Sequence, residues 1–315
     1  MPKVSICIPT YMQVEHLRKT LSSVKEQNFT DYELIVSDDS TDDSVKNLLR
    51  EFDFKDKLKY YKNSPSLGSP ANWNFSIKQA SGEYVKILHH DDYFTSKDSL
   101  GKFVKLLDEH PSSLFAFSGT EINLIALKMK KMHKCSARKL SEIKETPAAL
   151  FFSNYIGAPS ATIFRNDAII FFDEKLKWLV DVDWYIQLIQ NNTEIVNTTE
   201  ALICTVHGAQ GQITQSVISD KEIQIREHVY LFNKLFNRIT DLKKYSVFFQ
   251  LLFNKYRVDN MNDLKTIADI PKELEPFFLE VFKLKNDSVF FKKVKYHLKK
   301  QSLNDYAFTL KTLFK

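Results

Sequence analysis

Over the first 120 residues, short runs rich in β-branched side chains alternate with stretches whose apolar positions recur every three or four residues. That alternation is the signature of successive βαβ units on a mainly parallel sheet. Residues 4–8 read as the first strand, and Val14, Leu17, Leu21 and Val24 line one face of the helix after it. Residues 32–37 read as a strand closed by the turn-forming run 38–43, then 44–52 as a helix, 59–62 as a short strand and 63–70 as a loop. A helix over 71–80, a strand over 83–89, a helical stripe of Leu100, Phe103, Val104 and Leu107, and a strand over 113–118 follow.

Beyond this half, residues 128–139 hold six basic side chains and no acid, which predicts a mobile surface loop. Residues 146–152 then read as helical, 161–164 as a strand, 182–189 as a helix and 201–206 as a strand. All seven glycines lie at or before Gly211, and the remainder is rich in Leu, Phe, Lys and Glu with amphipathic spacing. The expected organisation is therefore an α/β unit over 1–210, with halves at 1–120 and 121–210, followed by a helical region over 211–315.

Composition narrows the function classes. The 315 residues are 43% hydrophobic and 26% charged, as in an ordinary folded protein. Three scattered cysteines give neither a disulfide framework nor a zinc spacing, which fits a reducing cytoplasm. A net charge of +5 is too small to point to nucleic acid, and more than all of it resides in residues 283–315, where nine lysines meet two aspartates, leaving the rest slightly acidic. Val289, Phe290, Val294 and Leu298 make an apolar stripe there beside those lysines, which predicts peripheral attachment to anionic lipid at the inner face of the cell membrane. No signal peptide or run of roughly 20 apolar residues is expected from the pattern.

In an open α/β sheet, ligands bind beyond the carboxyl ends of the strands. Four clusters fall at such ends: Pro9, Thr10 and Tyr11; Asp38 and Asp39; His89 to Asp92; and His207. Gathered acids repel unless a cation offsets them, and oxygen donors suit magnesium or manganese with positions left open for phosphate. No GxGxxG follows the first strand and no GxxxxGK[ST] occurs, so dinucleotide redox chemistry and P-loop hydrolysis lose their main support.

The segments VSICIPTY (4–11), SSVKEQ (22–27), YELIVSDDSTDDS (32–44), GSPANWN (68–74) and SGEYVKILHHDD (81–92) resemble, in order and spacing, the family 2 glycosyltransferases. The resemblance covers residues 1 to about 210 and implies a GT-A fold, Rossmann-like in its nucleotide-binding half. It also implies an inverting transfer from a nucleotide-sugar, usually UDP-linked, with Mn2+ or Mg2+. The acceptor would be a hydroxyl of a glycan or lipid-linked intermediate in surface polysaccharide or lipo-oligosaccharide synthesis.

Residue by residue, the resemblance assigns Pro9, Thr10 and Tyr11 to the nucleoside pocket, Asp39 to the base and Asn74 to the nucleotide-side helix. Asp91 falls near the ribose or sugar, Asp92 at the metal, His207 near metal and diphosphate, and Asp181 at the catalytic base with Asp183 in reserve. Three positions depart from the pattern: His90 replaces the first carboxylate of the DxD motif, Trp73 a common arginine, and Val180 a common acid. Two other readings compete. A sugar-phosphate nucleotidyltransferase would carry a glycine-rich basic loop where residues 10–13 are Thr-Tyr-Met-Gln, and a metal-dependent binding domain leaves Asp91 and Asp92 unexplained.

Overall fold

A computed structural model describes residues 1–168, 170–191, 194–208 and 217–285. The chain divides into two compact units: Met1–Pro147 with Tyr155–Lys175 and Val180–Gly211, and Ala148–Asn154 with Leu176–Leu179 and Gln212–Lys315.

The larger unit is built on one nine-stranded sheet. In chain order its strands are β1 (Val4–Thr10), β2 (Tyr32–Asp38), β3 (Leu58–Lys62), β4 (Tyr84–Ile87), β5 (Tyr93–Phe94), β6 (Phe115–Leu124), β7 (Met129–His133), β8 (Thr162–Arg165) and β9 (Val196–His207). Its helices are α1 (Val14–Lys25), α2 (Ser44–Leu49), α3 (Ala71–Lys78), α4 (Ser99–Asp108), α5 (Ala137–Glu145) and α6 (Val180–Gln190). The spatial order is β3-β2-β1-β4-β8-β6-β9-β5, with β7 paired to the outer half of β6.

β1, β2, β3 and β4 pair in parallel. β8 is antiparallel to both β4 and β6, so β6 points the same way as β4, and β9 is parallel to β6. Every residue of β1 and β2 is buried, as strands covered on both faces must be. The pleat of β1 sorts its side chains: Val4, Ile6 and Ile8 join Leu17, Leu21 and Val24 of α1 and Leu100, Phe103 and Val104 of α4 in one apolar cluster. Cys7 points to the opposite face, where its thiol reaches the Ser76 carbonyl of α3 at 3.4 Å.

Two stretches differ from the sequence reading. Residues 128–139 are β7 and the start of α5 rather than a loop. Their charge keeps them out of the core without preventing pairing, because β7 is an edge strand whose side chains stand in solvent. β6 and β9 also run well past the predicted strands, since each continues to pair where its side chains become polar.

The smaller unit is helical over Lys221–Leu235, Leu242–Tyr256, Met261–Lys265 and Glu275–Lys285. Its core is aromatic: Phe151 packs on Tyr245 and Phe248 with ring centroids 4.9 and 5.1 Å apart, and Phe232 lies 4.6 Å from Phe277. Buried Glu227 accepts the backbone N–H groups of Lys177, Trp178 and Leu179 at 2.8, 2.8 and 2.9 Å. The basic helix predicted around residues 289–300 lies outside the described residues. No helix among the described residues is long and apolar enough to cross a membrane.

Candidate active site

Because β1, β2, β4, β6 and β9 share one direction, their carboxyl ends form a single rim. The residues after β1 anchor the two neighbouring clusters. The Asp39 N–H donates to the Thr10 carbonyl at 3.0 Å, and the His90 ring hydrogen-bonds the Pro9 carbonyl. The base-side and acid-rich segments thus meet at consecutive residues of β1.

On the base side, Asp39 is 3% exposed. Its carboxylate accepts from the Asn63 amide at 2.7 Å, the Leu67 N–H at 3.1 Å and the Gly68 N–H at 2.7 Å. Gly68 holds φ +76°, a conformation that suits glycine and aims its N–H inward. A carboxylate offers about four acceptor directions, so one remains for a ligand donor. Thr10 is buried, and its hydroxyl has no hydrogen-bond partner among the described residues. Tyr11 is 52% exposed beside it. Asp38, by contrast, is a structural group: it accepts from the Tyr60 hydroxyl at 2.8 Å, Lys62 at 3.1 Å and the Ser40 N–H at 2.8 Å.

Asn74 does something the motif alone does not reveal. Its amide oxygen accepts the Phe172 N–H at 2.9 Å, while its nitrogen donates to the Phe172 carbonyl at 2.9 Å and to Glu174 at 3.0 Å. Trp73 packs against the tilted His89 ring, centroids 4.4 Å apart, and meets Phe172 edge to face at 5.2 Å.

The turn after β4 carries the acids. The Thr20 hydroxyl of α1 lies 2.8 and 2.7 Å from the backbone carbonyls of His90 and Asp92, its one proton shared between them, which ties the turn to α1. Asp92 is 4% exposed, and desolvation, reinforced by Asp91, holds its carboxyl well above the usual range. His89 lies 4.0 Å from Asp92, but desolvation lowers its affinity for a proton, so the contact is not an ion pair. The Ser160 hydroxyl bonds the Asp92 carboxylate and accepts the His89 N–H at 2.9 Å. Beneath them Lys86, fully buried in β4, donates to the Ile87 carbonyl at 2.9 Å and to the Ser160 carbonyl.

Asp181 and Asp183 open α6. Asp183 is 1% exposed and accepts from Gln187 at 2.7 Å, whereas Asp181 is only half-buried, with one oxygen on the Val182 N–H at 2.8 Å. One turn on, the buried Tyr185 hydroxyl donates to the Gly157 carbonyl at 3.0 Å. Desolvation raises the Tyr185 phenol, and the charges of Asp181 and Asp92 both add to the effect. Both acids are thus within electrostatic reach of the same phenol. His207, at the end of β9, is exposed and within electrostatic reach of Asp91.

The donor set fits a cation in one respect: buried Asp92, whose proton affinity desolvation and then the charge of adjacent Asp91 raise, is a carboxylate that a divalent ion would relieve. Among the described residues no group of three or more His, Cys, Asp or Glu side chains is gathered to hold a metal ion unaided. Such a site needs oxygen atoms from a bound ligand, as magnesium and manganese sites at phosphates commonly do.

Residues 5–171 match the family model described as glycosyl transferase family 2. The chain belongs to that family. Among relatives of this chain is the GalNAc(5)-diNAcBac-PP-undecaprenol beta-1,3-glucosyltransferase of Campylobacter jejuni, 38% identical over 98 residues, 30% of this chain and 32% of that one. The poly(ribitol-phosphate) beta-N-acetylglucosaminyltransferase TarS of Staphylococcus aureus is 29% identical over 187 residues, 56% of this chain and 30% of that one. The chain thus spans about a third of the length of these relatives.

The solved structure of TarS residues 1–349 in complex with UDP-GlcNAc superposes with a TM-score of 0.58 at 19% identity, covering 95% of this chain and 92% of that one. A mannosyltransferase of Pyrobaculum calidifontis, solved with GDP-Man and Mn2+, superposes at 0.53 and 15% identity, covering 98% and 79%. These likenesses confirm the GT-A fold read from the motifs.

Sequence reasoning missed Tyr185, Ser160 and Lys86. Lys86 left a signal, a charge inside the apolar strand YVKIL. Ser160 and Tyr185 left none, because their importance depends on long-range packing.

Proposed function

We propose that the protein is an inverting, divalent-metal-dependent hexosyltransferase. It would move a sugar from a UDP-linked donor to a hydroxyl of a glycan or lipid-linked acceptor in surface polysaccharide or lipo-oligosaccharide synthesis. The observation that supports this reading is the end of β1, where Thr10 is bonded by Asp39 and Pro9 by His90 of the turn that carries Asp91 and Asp92, with Asp92 and Asp181 both within electrostatic reach of Tyr185. Relatives that act on an undecaprenol-linked glycan and on poly(ribitol-phosphate), and a fold neighbour solved with UDP-GlcNAc, support the donor and acceptor classes.

In the proposed mechanism, Pro9, Thr10 and Tyr11 line the nucleoside pocket and Asp39 accepts a hydrogen bond from the base. Asp91 sits towards the ribose or sugar. Asp92, with His207 nearby, would hold Mn2+ or Mg2+, which when bound offsets negative charge on the departing diphosphate. Asp181 is half-buried rather than sealed, as a base that must meet an incoming hydroxyl needs to be. It takes the acceptor proton as the oxygen attacks the anomeric carbon from the face opposite the diphosphate. One displacement inverts the anomeric centre and needs no covalent enzyme intermediate. Asn74 acts on the donor side by bracing residues 172–174.

The test is release of UDP from a panel of UDP-sugars with Mn2+, with the product anomer read by NMR. Turnover abolished by Asp92→Ala and by Asp181→Ala, with inverted product, supports the proposal. Turnover that survives both substitutions, or retained configuration, refutes it.

A further inference from the structure

The β6–β7 hairpin has no role in the chemistry above, yet it is the most exposed apolar feature of the larger unit. Ile125, Leu127, Met129 and Met132 are 45, 64, 57 and 49% exposed within eight residues of chain. Large apolar side chains exposed singly are ordinary, but a cluster at one tip marks an interaction surface. The same tip carries Lys128, Lys130 and Lys131, all exposed, and exposed Lys134 follows at the base of the hairpin. Lys130 pairs with Glu121 at 2.8 Å, while among the described residues Lys128, Lys131 and Lys134 form no ion pair.

The register shows how these residues are arranged. Asn123 faces Lys130 and Glu121 faces Met132, so Lys130 and Met132 share one face of the hairpin. Met129 and Lys131 share the other with Leu124 and Ile122. Each face therefore presents an apolar side chain and a lysine, and the turn between them adds Ile125, Leu127 and Lys128. A protein partner usually reads one face. A tip that is apolar and cationic on every side matches an interface into which it can insert, with lysine stems lying along the acyl boundary and their charges among anionic headgroups.

The base of the hairpin is anchored. Gly157 at φ +108° lies against Thr120 and His133, so the strands are held where they leave the sheet. β6 runs parallel to β9, with Leu124 paired to His207, so the tip projects beyond the rim that carries the candidate site. We propose that this hairpin is a membrane-interfacial finger that seats the rim of the larger unit on an anionic lipid bilayer. The inference rests on exposure, charge and topology, independently of the donor or acceptor, and it concerns a different segment from the basic tail.

The experiment is co-sedimentation of the full chain with phosphatidylglycerol-containing and pure phosphatidylcholine vesicles. The wild type should bind the former only. Each surface-facing lysine contributes about fivefold to such partitioning, so Lys128→Ala with Lys131→Ala should weaken it about 25-fold. Leu127→Ser with Met129→Ser should weaken it roughly tenfold or more. Both variants should keep the wild-type melting temperature and UDP affinity. A Leu127→Trp variant should gain a blue-shifted emission component quenched by brominated lipid.

Failure of the wild type to bind phosphatidylglycerol vesicles overturns the proposal, as does unchanged binding by both double variants. So does a surface whose binding to soluble polyphosphate needs the lysines while the serine variant binds vesicles normally, which would mark it as a polyelectrolyte site.

Discussion

Asp92 and Asp181, far apart in sequence, both act on the buried phenol of Tyr185, whose hydroxyl is fixed on the Gly157 carbonyl at 3.0 Å. That relationship brings the end of the β4 turn and the start of α6 within electrostatic reach of one buried group. It also separates the two candidate bases on α6 by environment: Asp181 keeps a solvent-facing side, and Asp183 is sealed against Gln187.

Asp181→Asn should lower kcat by about 10²–10⁴-fold while leaving UDP affinity within roughly twofold. Asp183→Asn should instead cost about 1–3 kcal/mol of stability, with near-normal turnover per folded molecule. Steady-state kinetics paired with denaturant titration separate these outcomes, and the reverse pattern would make Asp183 the base.

Asp39 holds residues 63–68 with three hydrogen bonds in addition to any contact with the base. Asn at this position puts an amide donor where two backbone N–H groups need acceptors. Asp39→Asn should lose about 1–3 kcal/mol of stability, weaken UDP binding and expose the loop to limited proteolysis. Unaltered loop cleavage together with normal UDP affinity would contradict this double role.

The smaller unit carries a pH dependence of defined sign. His228 is buried against Phe248, and desolvation lowers it to about 4. Unfolded histidine titrates near 6.5, so the stability from keeping His228 neutral is fully present above about pH 6.5 and is lost as pH falls through about 4. The total is about 3 kcal/mol. His228→Phe should flatten this limb of the stability curve between those pH values; an unchanged slope would assign it to other groups.

Lys86 has a window of the same sign at higher pH. Burial lowers it to about 7, against about 10.4 in an unfolded chain, so between those values the unfolded state binds the extra proton. Stability should therefore rise with pH across that window by about 5 kcal/mol, and the cost is fully present below pH 7. In Lys86→Met the rise should disappear from chemical denaturation measured between pH 7 and 10. Parallel curves for the two proteins would show that Lys86 stays charged throughout.

The parallel half of the sheet was legible because β1, β2 and β4 are short apolar runs bounded by turn residues and separated by helices with clear stripes. Its completion was not. The sequence pattern marks β8 at 161–164, within a residue of Thr162–Arg165, but not its antiparallel place between β4 and β6, and β6 and β9 extend through polar positions that pair by backbone alone. β7 read as a loop because its lysines dominate the pattern, although lysine is well suited to an edge. In the site, motif order placed Asp39, Asp91, Asp92 and Asp181 at strand and helix ends. It could not reveal that Asn74 turns its amide to Phe172 and Glu174, or that Ser160 joins His89 to Asp92. Those are contacts across long loops, with no local signal to betray them.

The central claim is that one rim binds a uridine diphosphate through a base pocket at Asp39 and a cation at Asp92. Calorimetric titration of UDP with and without Mn2+ tests it most directly, using the wild type, Asp39→Ala and Asp92→Ala. The account predicts that Mn2+ tightens UDP binding to the wild type at least tenfold. Asp92→Ala should lose that increment alone, and Asp39→Ala should weaken binding whether or not the ion is present. Equal UDP affinity in all three proteins, with no effect of Mn2+ on any, would contradict it.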